Sequence, residues 1–165
     1  MSTKGIVLKW GLVGGAVTIV IGILSTVIGL TESKFIQYLS VLLMLVIIVF
    51  ALFEYRDKLG GGFASFKGLF KVGLMIGLII AFITAIWTYV NFKFINPELL
   101  DKIILAKKIN LEEMNLSQLD FENSLALLKK AVNPFGLAIR NFVTELFTST
   151  MVSFVSALVI RNNKP

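Results

Sequence analysis

The stretch VGLMIGLIIAFITAIWTYVNF, Val72–Phe92, contains no charged residue over about 20 positions. A soluble amphipathic helix carries polar residues along one face, whereas here apolar residues lie on every face. At about 1.5 Å of rise per residue, a helix of this length crosses a hydrocarbon core of about 30 Å. The stretch therefore predicts a transmembrane helix.

Three further stretches have the same character. Trp10–Leu30 and Phe35–Phe53 contain no charge, and Asn141–Ile160 contains only Glu145. Charged residues make up 16% of the chain and the mean hydropathy is +0.86, whereas about a quarter of a soluble domain is charged. We therefore expect an all-α integral membrane protein, one domain over residues 1–165, with four transmembrane helices at about 10–30, 35–53, 72–92 and 141–160.

The chain contains neither cysteine nor histidine. Disulfides and thiolate metal sites are therefore excluded, and the commonest general base and metal ligand is missing. Carboxylates, hydroxyls and lysines remain, but they form no visible convergent set. We expect no enzymatic activity, no catalytic residue, no metal and no cofactor.

The lysines and arginines divide equally, eight on the side of the two termini and eight on the other side. Those on the first side lie in short segments next to helix ends, where positive charge has most influence on orientation. We expect both termini in the cytoplasm and the loop of residues 96–134 in the periplasm. The net charge of +6 fits anionic lipid headgroups, so the expected partner is the lipid bilayer, and nucleic acid is not needed.

The loop 96–134 has a helical pattern of its own. Asn96-Pro97 and Asn133-Pro134 each place a capping residue before a proline suited to a first helical turn. Asp120 is a candidate cap for the second of two amphipathic stretches. Two readings stand: a helical hairpin resting on the bundle or membrane surface, or a docking surface for another protein. The apolar faces comprise Leu99, Leu100, Ile103 and Ile104, and then Phe121, Leu125, Leu128 and Val132.

Gly60–Gly62 predicts a sharp turn between the second and third spans. Phe63, Phe66 and Phe70 follow at helical spacing, which predicts a short interfacial helix. A glycine nest that binds a lipid phosphate is the functional alternative for the turn.

One short pattern occurs twice, as KWGLVGG at Lys9–Gly15 and as KVGLMIG at Lys71–Gly77. Both copies precede long apolar runs, which favours two tandem helical hairpins that enter the membrane from the same side. The alternative is chance, because glycine and leucine are common in membrane helices and lysine is common at their cytoplasmic starts.

Small residues also recur four positions apart in the first and third spans. Helices in membranes gain from close backbone approach, which small residues permit, so these strips predict a helix-packing seam. A homodimer contact through the same strips is the alternative. The predicted seam comprises Gly11, Gly14, Gly15, Thr18, Gly22, Gly73, Gly77, Ala81 and Ala85.

The fourth span has a polar stripe on one side of its helical wheel. The stripe favours interhelical hydrogen bonds inside the bundle, and the alternative is an ion or proton path with Glu145 as the exchanging group. Its members are Asn141, Glu145, Thr148, Ser149, Ser153 and Ser156.

Several of these motifs occur together in one known family. GGGFASFKGLFKVG after Arg56, FINPE at Phe94–Glu98 and the Asn133-Pro134 pair resemble the four-span family called domain of unknown function 4199, found chiefly in the Bacteroidota. The resemblance covers nearly the whole chain and implies a bacterial inner-membrane protein with four helices. It implies no activity and no functional residues.

Two functions of different classes fit these features. The first is a small scaffold or accessory subunit that binds itself or a larger membrane complex, which the seam and the lack of catalytic chemistry favour. The alternative is an oligomeric transporter or channel for ions or small solutes, which would use the polar stripe of the fourth span.

Overall fold

The structure is a computed structural model that describes residues 2–30 and 33–162. Over those residues it is all-α, with no strand, which confirms the predicted fold class. Four helices, one of them continued by the π-helix, are long and apolar enough to cross a membrane. The elements are α1 (Thr3–Val27), α2 (Lys34–Leu59), α3 (Phe66–Val90), a π-helix (Asn91–Ile95), α4 (Glu98–Glu113), α5 (Gln118–Ala131) and α6 (Pro134–Ile160).

The four long helices extend beyond the predicted spans at several ends. α1 begins at Thr3 instead of Trp10, because the Ser2 hydroxyl caps it by accepting from the Gly5 amide at 3.2 Å. α2 continues six residues past Phe53 to Leu59. The predicted bounds follow the charge-free runs, which are sized to the hydrocarbon core, so helical turns that contain a charged residue, such as Lys9 or Glu54, lie outside them.

The chain forms two compact units. The first comprises the residues up to Thr84 together with those from Phe142 onward, and the second comprises Ala85–Asn141. The apolar core of the first unit draws on all four long helices, and its buried side chains are Val7 from α1, Met44, Ile48, Ala51 and Leu52 from α2, Leu69, Val72, Ile76 and Ile80 from α3, and Val152, Ala157 and Ile160 from α6.

The glycine turn in the first unit directs its amides at carbonyls of the chain itself. Gly61 and Gly62 have φ angles of +58° and +89°, which favour glycine. The amides of Gly60 and Gly62 both donate to the Arg56 carbonyl, and the Phe63 amide donates to Gly60. These internal hydrogen bonds disfavour the phosphate-binding alternative for the turn, which stays untested.

The predicted interfacial helix after this turn is wrong. Phe66 is the first residue of α3, so Phe66 and Phe70 belong to the third span itself, while Phe63 precedes the helix. Phe66 and Phe70 stack at 5.7 Å, and Phe154 of α6 contacts both rings edge-on. Ala64, just before α3, forms a two-way backbone bridge with Asn162, just after α6. These contacts join the start of α3 to the end of α6.

The second unit contains the end of α3, the π-helix, the α4–α5 hairpin and the start of α6. Asn133 caps α6 as predicted, because its Oδ1 accepts from the Gly136 amide at 2.9 Å. α5 is instead capped by Ser117, whose Oγ accepts from the Asp120 amide, so the prediction for Asp120 is wrong. Asn96 likewise does not cap α4; its amide group donates to the Asn91 side chain.

Candidate functional site

The glycines of α1 lie against three isoleucines of α3. A β-carbon at Gly11 would lie 2.8 Å from Ile79 Cβ, and one at Gly15 would lie 2.8 Å from the Ile83 side chain. From the first of these contacts to the second, the residue number rises by four in both helices, so α1 and α3 run parallel where they touch. Gly14 contacts Ile80 in the same way. The close approach requires glycine, since any side chain would displace a branched isoleucine.

The remaining predicted seam residues of α1 are less enclosed. Thr18 and Gly22 are half-buried. The Thr18 hydroxyl donates to the Gly14 carbonyl at 3.0 Å, which satisfies it within its own helix. The tight contact is therefore confined to about one turn and a half near the start of the span.

The glycines of α3 lie against serines of α6. A β-carbon at Gly73 would lie 2.6 Å from Ser153 Oγ, and one at Gly77 would lie 2.5 Å from Ser149 Cβ. Along this contact the residue numbers of α3 rise while those of α6 fall, so the two helices are antiparallel. Ala81 is fully buried in the same unit, and Ala85, in the second unit, is half-buried.

The two copies of the repeated pattern thus make different contacts. Gly11 and Gly15 face α3, whereas their counterparts Gly73 and Gly77 face α6. A pseudo-twofold pair of hairpins would place equivalent glycines against equivalent helices. The tandem duplication stays a hypothesis, and the contacts at the pattern itself are not equivalent.

The residues of the polar stripe of α6 differ in how deeply they are buried. Ser149 and Ser153 are fully buried, and Ser156 is 5% exposed. Glu145 and Thr148 are half-buried in the first unit. Asn141, half-buried in the second unit, donates through Nδ2 to Thr88 Oγ1 at 2.8 Å.

The buried serines are accommodated in different ways. Ser149 Oγ donates to the Leu146 carbonyl of its own helix at 3.1 Å. Ser153 Oγ is the one buried side-chain oxygen without a hydrogen-bond partner among the residues that the structure describes. It lies next to Gly73, where a β-carbon would come within 2.6 Å of the Ser153 hydroxyl oxygen.

Glu145 is the ionisable member of the stripe. It accepts no hydrogen bond from any other residue within the described ranges 2–30 and 33–162. A half-buried carboxylate in a membrane helix, with no partner among the described residues, is a candidate for contact with an ion, a proton or a second protein.

A polar cluster between α1 and α2 was missed by the sequence analysis. Glu54 Oε2 accepts from Lys9 Nζ at 2.7 Å and from Trp10 Nε1 at 2.6 Å, while Oε1 accepts from Lys58 Nζ at 2.8 Å. The Glu54 side chain is 9% exposed. We call Lys9, Trp10, Glu54 and Lys58 the Glu54 cluster.

A signal for this cluster is present in the sequence. Lys9 immediately precedes the first apolar run and Glu54 immediately follows the second. In a helical hairpin these two positions lie at the same end, so opposite charges there predict an interhelical ion pair. Lys9 is also the first residue of the first copy of the repeated pattern, and there it forms this ion pair with Glu54.

Chemically, the arrangement supplies close helix contacts and charge pairing. The α1–α3 and α3–α6 contacts are filled by side chains that touch glycine, and the Glu54 cluster places three donors on one carboxylate. These are the features of a packed membrane bundle.

The comparisons with known proteins give one match, to a family model. No curated protein and no solved structure matches the chain. The family model described as protein of unknown function (DUF4199) matches residues 9–162, nearly the whole chain. The chain is therefore a multi-pass membrane protein that belongs to the DUF4199 family.

Proposed function

We propose that this protein is a non-enzymatic scaffold or accessory subunit of a larger membrane complex, in the bacterial inner membrane. The observation that carries the proposal is the contact of Gly73 and Gly77 with Ser153 and Ser149. These two hydroxyls are used in helix packing inside one chain, which supports a structural role for these two members of the polar stripe.

The α4–α5 hairpin is the proposed binding surface for another membrane protein. Leu119 and Leu127 of α5 are each 69% exposed, and Leu105 of α4 is 59% exposed. Five lysines and six acidic residues lie within 96–134, so the hairpin has no excess of positive charge to attract anionic headgroups. Exposed leucines among balanced charges favour a protein partner.

Purification in mild detergent tests this proposal. We expect a partner at fixed stoichiometry with the wild type, and its loss when Leu119 and Leu127 are both replaced by glutamate. Lys129→Gln, which removes one positive charge on the same helix, is the control and should retain the partner. A lone monomer from the wild type, or equal loss in the control, would reject the proposal.

The proposed orientation has both termini in the cytoplasm and the α4–α5 hairpin in the periplasm. Because the chain has no cysteine, single cysteines report position without background. Ser65 and Ser117 are both exposed. We expect Ser117→Cys to react with a membrane-impermeant thiol reagent in intact cells, and Ser65→Cys to react only after lysis. The opposite labelling pattern would reverse the orientation.

An oligomeric transporter or channel is the second candidate, and it rests on Glu145. A half-buried carboxylate without a protein partner in the described residues is the kind of group that binds an ion or exchanges a proton. A path between copies would be required, since the glycine–serine contacts fill the α3–α6 interface within one chain.

Glu145→Gln separates the two candidates, because it keeps size and hydrogen bonding but removes charge and proton exchange. Under the scaffold proposal we expect a folded protein that still binds its partner. Reconstituted into proteoliposomes, wild type and variant should show the same background flux of protons and cations. A flux that the wild type supports and the folded variant lacks would favour the transporter.

A further inference from the structure

The Glu54 cluster lies at the level where both of its helices change from apolar to polar. Trp10 is the first residue of the uncharged run in α1, and Phe53 is the last residue of the run in α2. The Lys9–Glu54 ion pair joins the helices one residue beyond each limit. The charge-free runs of two antiparallel helices end at this same level. We therefore place the Glu54 cluster at the boundary between hydrocarbon and headgroups.

The charges of the cluster are arranged with the cations outermost. The Glu54 side chain is 9% exposed, while those of Lys9 and Lys58 are 45% and 56% exposed. One carboxylate holds both ammonium groups, each on a different oxygen, so the two cations are close neighbours. Together Lys9, Lys58 and Glu54 carry a net charge of +1. An anion that approaches from outside meets the ammonium groups before the carboxylate.

An aromatic surface adjoins these ammonium groups. Trp10 and Phe50 stack with ring centroids 6.4 Å apart, and Phe50 is 58% exposed. The Trp10 indole is oriented by its hydrogen bond to Glu54, and Lys9 Nζ lies 4.8 Å from the indole centroid. Phe50 lies one helical turn from Glu54 toward the centre of the membrane. The ammonium groups suit the phosphate of a phospholipid, and the adjoining aromatic rings suit its first acyl carbons.

From this geometry we propose that Lys9 and Lys58 bind the phosphate of an anionic phospholipid, whose upper acyl chain contacts Trp10 and Phe50. This site is independent of the proposed scaffold role, which rests on other residues. Inorganic phosphate shares the anion chemistry, but it lacks the acyl chain for which the aromatic surface provides contact.

Lipid binding to the delipidated full chain tests the proposal, with native mass spectrometry as the readout. We expect retention of phosphatidylglycerol over phosphatidylcholine, and no competition by inorganic phosphate at equal concentration. The double variant K9Q/K58Q should bind phosphatidylglycerol on the order of tenfold more weakly, because each lysine near an anionic surface contributes about fivefold and Glu54 offsets part of that. K9R/K58R should retain binding.

The control is K67Q/K71Q, which removes the same charge from two exposed lysines of α3 and should leave the preference unchanged. If K9Q/K58Q does not keep its helical content, K58Q alone replaces it, because Lys58 is the more exposed lysine. Equal binding of the two lipids by the wild type, or an equal loss in the control, would overturn the proposal. Competition by inorganic phosphate would assign the lysines to a soluble anion and would also overturn it.

Discussion

Replacing Gly77 with leucine is expected to lower the free energy of unfolding in detergent by about 3 kcal/mol, at the upper end for overpacking of a tight site. A β-carbon at this position would lie 2.5 Å from Ser149 Cβ. The Ser149 hydroxyl can rotate away, but its Cβ is fixed by the backbone, so α3 and α6 must separate. Titration with a denaturing detergent, followed by circular dichroism, measures the loss.

Two further variants make this test specific. Ala16→Leu adds a side chain at an exposed position of α1 and should change stability by less than about 0.5 kcal/mol. Gly77→Ala should also destabilise, and Ser149→Gly in the same chain should recover part of the loss because it removes the opposing Cβ. Such recovery is the coupling expected of residues in contact. Equal stability of Gly77→Leu and Ala16→Leu would show that Gly77 does not lie in a tight helix contact.

The four membrane helices could be predicted from the sequence because their signal is local. About 20 consecutive apolar residues satisfy the length of the hydrocarbon core, whatever the rest of the chain does. The helix ends were less predictable, since Lys9 and Glu54 end the charge-free runs, although α1 begins before Lys9 and α2 continues past Glu54. Ser2 caps the start of α1, and serine is too common in loops to identify a cap by itself.

The partners of the small residues could not be predicted, because helix pairing is a property of three dimensions. Spacing placed Gly73 and Gly77 on one face of α3, but it did not show that this face meets Ser153 and Ser149. The same limit explains the Glu54 cluster. Its carboxylate lies just outside a charge-free run, where an acidic residue is usually taken for part of a solvated loop.

Replacing Glu54 with alanine is expected to lower the free energy of unfolding by about 2 kcal/mol. The change removes the acceptor of three hydrogen bonds, two of them from ammonium groups, and hydrogen bonds to charged groups contribute about 1.5–3 kcal/mol each. The total is smaller than their sum because Lys9 and Lys58 are about half exposed and regain water. The Trp10 indole, which is only half-buried, loses the acceptor that orients it.

Asp57→Ala is the matched control, because it removes the same charge three residues later on α2. The Asp57 carboxylate is 55% exposed and pairs only with the adjacent Arg56 among the described residues, so its loss should cost less than about 0.5 kcal/mol. Glu54→Gln should fall between the two, since an amide oxygen still accepts from Lys9 or Trp10 but lacks the charge. Added salt should narrow the gap between wild type and Glu54→Ala, because part of the attraction is screened. Equal stability of Glu54→Ala and Asp57→Ala would mean that the cluster does not hold α1 against α2.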